Sequence, residues 1–363
     1  MGTHLRTFAR RLGWRLNLLL LGATALSTTL CGGIFFGGEA GSVFLQGSGG
    51  WPAVLSNGLS YSLPVLLILG AHEMGHYAAC RRHAVGATLP YFIPAPFLFG
   101  TMGAVIRMRP PIPGRRALFD IGIAGPLAGF IVAVPVLAVG VATSRVEPLP
   151  SAPGEIIVFG YPPLVSGLVR LFHGALAPGV ALVESPAMMA GWFGMLITAM
   201  NLFPVGQLDG GHITYALSPG LHRVASLAAA GAMVALVAFE LGSVAPAGYP
   251  KSGGSSPAGG AAAAMALLAY AAWSRLPRLL KGVAFGVAML LIYRALIASS
   301  LSPWLLWTVV LLALRRAPHP PLSAGSSDEI GIGAGRTVLA ASALLVFGLC
   351  FAPTPLRIVL APS

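Results

Sequence analysis

The pentad His72-Glu73-Met74-Gly75-His76 closes a long apolar run, Val54 to Ala71. Residues four apart on a helix share a face, so both imidazoles can reach one metal ion. Glu73, between them, is then placed to take a proton from a water at that ion. In a soluble chain this pattern points to an ordinary zinc site. Here it falls in, or at the edge of, a segment apolar enough to enter a bilayer. Ionisable groups are costly there and call for a functional reason.

The rest of the chain makes that setting general. Of 363 residues, 56% are hydrophobic and 9% charged, against about 25% charged in soluble domains. The expected fold is all-α, a polytopic transmembrane helix bundle of about eight spans. Candidate spans are 16–36, 53–80, 117–142, 187–216, 224–242, 259–274, 282–300, 302–314 and 337–352, with 302–314 too short to cross alone. The charge of +12 does not point to nucleic acid. Its arginines flank apolar runs (Arg6, Arg10, Arg11 and Arg15; Arg81 and Arg82; Arg115 and Arg116; Arg315 and Arg316) and read as cytoplasmic anchors. No small-residue cleavage site follows the first run, so a retained first helix is expected. The N-terminus and the pentad then face the cytoplasm, in a cell (inner or plasma) membrane. Cys31, Cys80 and Cys350 form no CxxC pair and read as buried hydrophobes.

Three sections follow from these patterns: 1–52, a first span and outer loop; 53–223, a core around the pentad; and 224–363, additional helices. Pro90, Pro94, Pro96, Pro110, Pro111 and Pro113 exclude a regular helix over much of 84–116. Gly103 to Arg109 has β character between them, so a short re-entrant β-hairpin is expected after the pentad helix. An amphipathic stretch is expected near 163–177.

A catalytic zinc takes three protein ligands and keeps one position open. Asp209 is the single aspartate in the apolar second half before the tail. It lies in Asn201-Leu202-Phe203-Pro204-Val205-Gly206-Gln207-Leu208-Asp209-Gly210-Gly211-His212. Pro204 and the paired glycines break or kink a helix there. The plainer reading of Asp209 is a turn or capping aspartate. Asn201 reads equally as a substrate or oxyanion contact and as an interhelical hydrogen bond. Gly125 and Gly129 have the spacing of close helix packing. Asp120 reads as structural, at a helix start, and His83, His173, His212 and His222 as interfacial or supporting.

HExGH followed by NxxPxxxLDGG, with Gly125-Pro126-Leu127-Ala128-Gly129 between them, resembles the site-2 protease family of intramembrane zinc metalloproteases. The likeness covers roughly 53–223, and no stretch suits the PDZ insertion that many relatives carry. The resemblance implies Zn2+ held by His72, His76 and Asp209, with Glu73 as catalytic base. It implies hydrolysis of peptide bonds in or near the spans of membrane-anchored protein substrates. A helical substrate hides its carbonyls, so it must unwind, and Ala104–Met108 is a candidate to pair with it as an added strand. The alternatives are a catalytically silent pseudoprotease, which an intact set of four residues argues against, and a metal transporter, which lacks the repeated halves expected of one. Oligomeric state is not legible.

Overall fold

The computed structural model describes residues 2–38, 50–96, 99–148, 155–242, 303–314, 322 and 332–360. Helix α1 runs Gly2–Phe35 and α2 Trp51–Arg82. Four short strands follow: β1 Gly86–Ala87, β2 Tyr91–Pro94, β3 Thr101–Val105 and β4 Met108–Arg109. Next come α3 Arg115–Thr143, β5 Arg145–Pro148, β6 Glu155–Phe159, α4 Pro163–His173 and β7 Val180–Val183. The chain continues through α5 Pro186–Leu202, α6 Asp209–Leu217, α7 Pro219–Gly242, α8 Pro303–Leu314, α9 Ala334–Cys350 and β8 Leu356–Leu360.

Among the described residues, four helices are long and apolar enough to cross a membrane: Trp14–Phe35, Trp51–Arg82, Arg115–Thr143 and Pro219–Val237. About eight spans were expected. Those at 259–274 and 282–300 lie outside the described residues. The span expected over 187–216 is instead two helices, α5 and α6. Pro204 has no N–H to continue the helix, and Phe203–Leu208 turns the chain between them.

Glycines bring α2 and α3 close together. A Cβ on Gly75 would lie 2.5 Å from the Ala124 carbonyl oxygen. On the other side of α2, a Cβ on Gly58 would lie 2.0 Å from the Thr29 carbonyl of α1. Large side chains fill the rest of the core, with Tyr61, Leu118, Phe119, Leu137, Met188 and Trp192 buried. Among the described residues the sheets are two-stranded and antiparallel: β1 with β4, β2 with β3, β5 with β7 and β6 with β8. After the pentad helix the strand pairs β1–β4 and β2–β3 form short antiparallel ladders. The expected amphipathic stretch is α4, which buries Val165 and Val169 and exposes Leu171 and Phe172.

Candidate metal centre

His72 and His76 project from successive turns of α2, both buried. Asp209 arrives from the opposite side, at the first residue of α6. Its position depends on the turn before it. Val205 donates to the Phe203 carbonyl at 2.8 Å, and Leu208 to Val205 at 3.2 Å. Gly206 takes φ +53°, a conformation that suits glycine. Cβ atoms on Gly210 and Gly211 would lie 2.0 and 2.2 Å from the carbonyl oxygens of Leu202 and Gly206. The glycine pair therefore lets α6 start hard against the end of α5. Arg115 holds the far end of α6, donating from Nε to the Ala216 carbonyl at 2.9 Å and from Nη2 to the Leu217 carbonyl. Sequence reasoning made Arg115 an anchor and missed this role, because the partner carbonyls are about a hundred residues away.

The three donor groups converge. His72 Nε2 and His76 Nε2 are 3.1 Å apart, and each lies 3.2 Å from Asp209 Oδ2. An edge of that length is the edge of a tetrahedron whose centre lies about 2.0 Å from each corner, the length of a zinc–nitrogen or zinc–carboxylate bond. Two imidazoles and a carboxylate are also a usual zinc donor set. The residues therefore fit the ion.

The ring orientation is fixed from behind. A carbonyl can only accept, so His76 Nδ1 carries a proton and donates it to the Ile121 carbonyl at 2.7 Å. That leaves the Nε2 lone pair facing Asp209. Gly125 makes room for the ring, since a Cβ there would lie 2.1 Å from His76 Nε2. Gly129 performs the milder version for His72, at 3.1 Å from its Cβ. The packing expected at Gly125 and Gly129 is thus also packing around the donors. Asn201 Nδ2 lies 3.3 Å from His72 Nε2, beside the three donors. Glu73 is buried on α2, between the two histidines.

The other titratable residues fall outside this cluster. Asp120 is bound by Arg336 Nε and Nη2, both at 2.7 Å, and by His83 Nε2 at 2.8 Å. It joins α9 to α2 and α3, which the sequence reading of a lone dipole-stabilising carboxylate did not foresee. His173 donates to the Val141 carbonyl at 2.7 Å, and His222 pairs with Thr214 at 3.0 Å. His212 is buried on α6 three residues beyond Asp209.

A bundle of apolar helices enclosing two histidines, a glutamate and an aspartate defines a membrane protein with a metallopeptidase-type centre. The model of Peptidase family M50 matches residues 60–242, half of the chain, and the chain belongs to this family, that of the site-2 proteases. The probable zinc metalloprotease EGY2, chloroplastic, of Oryza sativa subsp. indica is 35% identical over 168 residues, covering 45% of this chain and 30% of that protein. The probable zinc metalloprotease EGY1, chloroplastic, of Arabidopsis thaliana is 37% identical over 153 residues, 40% of this chain and 27% of that one. The matches thus span under a third of the length of these relatives. Their names place them in the chloroplast and lend nothing to the plasma membrane expected here. No solved structure matches the chain.

Proposed function

We propose that the chain is an intramembrane zinc endopeptidase that cuts membrane-anchored proteins in or near their spans. The convergence of His72, His76 and Asp209, with Glu73 one residue from the first donor, carries this reading. His72, His76 and Asp209 would hold the ion. Zinc, when bound, supplies Lewis acidity that acidifies a water and polarises a carbonyl. Glu73 takes the proton of the attacking water and returns it to the leaving amine. The Asn201 amide, 3.3 Å from His72 Nε2, would donate to the developing oxyanion; an interhelical bond to His72 is the other reading. Water must reach these groups. A cavity of about 560 Å3, walled in part by Gly75, Arg82, His83 and Asp120, lies beside α2, but none of the four site residues lines it.

The hairpin is read as re-entrant, with β3 offering its edge to an unwound substrate. The arginines at the end of α2 support a site facing the cytoplasmic side, and the membrane is taken to be the cell (inner or plasma) membrane.

Two variants test the function. Wild-type protein purified in detergent should hold about one zinc per chain, and Asp209→Ala should lose it while remaining folded. Glu73→Gln should keep the metal and fail to cleave an apolar-anchored reporter that the wild type cuts. Zinc binding without cleavage by either protein would sink the enzyme reading in favour of a silent binding module.

A further inference from the structure

The cavity beside α2 is walled by three helices, the end of α2 and the starts of α3 and α9. Its lining is sorted by depth. Arg82 and His83 lie nearer the end of α2 than Gly75, Ala78 and Ala79. Asp120 lies nearer the start of α3 than Ile123 and Ala124, and Arg336 nearer the start of α9 than Leu339. The cavity thus has a charged mouth and an apolar floor. From Arg82 down to Gly75 is about 10 Å along the helix.

The floor opens toward lipid. Ala78 and Leu339 are exposed, and the exposed face of α9 continues through Val338, Leu344 and Leu345. The mouth carries a charge imbalance. Asp120 is taken by Arg336 at 2.7 Å and by His83 at 2.8 Å. Among the described residues, Arg82 has no hydrogen-bond or ion-pair partner. Two arginines and one aspartate, with His83 neutral, leave one positive charge over.

We propose that this cavity binds an anionic phospholipid, with its phosphodiester at Arg82 and one acyl chain along Ala78, Ile123 and Leu339. A phosphodiester carries the single negative charge that Arg82 lacks, and a guanidinium can bind two of its oxygens at once. Basic pockets between membrane helices suit such head groups. A free anion would fill the mouth and leave the apolar floor empty, whereas a lipid fills both. Helix α9 lies outside the stretch 60–242 matched by the family. The lipid therefore bridges the family core and an added helix, and it does so whether or not the chain is a protease.

The test follows the melting temperature of the full chain in an uncharged detergent. Phosphatidylglycerol, phosphatidylcholine with the same chains, and inorganic phosphate are titrated separately. Phosphatidylglycerol should raise the midpoint by about 3 °C at saturation, and the other two by less than about 1 °C. In Arg82→Gln the phosphatidylglycerol concentration giving half the shift should rise about fivefold. Arg81→Gln removes the same charge one residue away, outside the cavity lining, and should stay within about twofold of wild type. Ala78→Phe fills the floor, leaves every charge in place and should weaken the response at least about fivefold. Should Arg82→Gln not fold, Ala78→Phe against Arg81→Gln decides by the same thresholds. Equal shifts with the two lipids overturn the proposal, as do equal losses in the two arginine variants, which would mark general attraction to surface charge. A full shift with inorganic phosphate overturns it in favour of a free-anion site, and an unchanged response in Ala78→Phe removes the acyl chain from the cavity and overturns it as well.

Discussion

The Ile121 carbonyl on α3 accepts the Nδ1 proton of His76 on α2 at 2.7 Å. One helix therefore decides which nitrogen of its neighbour faces Asp209. The bond is possible because Gly75 lets the two backbones approach and Gly125 makes room for the ring, so metal affinity is tied to helix packing as well as to the donors.

Adding one methyl group on α3 tests that tie. Gly125→Ala places a carbon 2.1 Å from His76 Nε2 and must push the ring away. Zinc affinity should fall about 10- to 100-fold, the size of effect seen when a ligand's supporting contacts are lost. Gly129→Ala meets His72 Cβ at 3.1 Å and should cost less. Metal titration with a competing chelator ranks the two, and equal affinities would show that the rings are not held this way.

Asp120 gives the C-terminal helix α9 a charged attachment. Arg336 binds it through two nitrogens, each at 2.7 Å. Arg336→Met should destabilise the protein by roughly 1 kcal/mol, the scale of a well-aligned but partly exposed pair. The loss should be non-additive with Asp120→Asn, because both remove the same bond. Unfolding of the single and double variants in detergent measures this, and strict additivity would show that the pair is not coupled.

Glu184 lies outside the four candidate spans, and burial raises its carboxyl pKa above the ordinary value despite the Tyr161 hydroxyl donating to it at 2.7 Å. The folded state thus binds this proton more tightly than the unfolded chain. The associated stability is complete below the unfolded carboxyl value and is lost as pH rises through the folded one. Glu184→Gln keeps an acceptor for Tyr161 and removes the charge. It should be the more stable protein at neutral pH, with the difference closing on acidification toward pH 4. Melting curves across that range decide the matter, and a constant gap would contradict it.

Chelation offers a further check. Metal bound only to the folded state stabilises it. EDTA should therefore lower the melting temperature of wild-type protein and leave that of Asp209→Ala unchanged.

Local patterns alone determined a good deal. The four-residue spacing of His72 and His76 sets both rings on one helix face, because helix geometry is the same in any context. Pro204, with glycines close after it, ends α5, whereas Pro64, Pro126 and Pro135 lie inside continuous helices, and the prolines of 84–116 leave only short strands between them. The apolar runs mark α2, α3, α7 and α9 to within about five residues, because hydropathy is a property of the segment itself, whereas α1 begins at Gly2, well before its expected span. Other features depend on residues distant in the chain. Asp209 meets His72 across 137 positions. Ile121 selects the nitrogen of His76, Arg336 finds Asp120 across 216 positions, and Asn17 reaches the Leu89 carbonyl across 72 positions. Each is a directional polar contact of a few ångströms. Periodicity and composition carry no information on which carbonyl a donor will face, and only the packing of the helices supplies it.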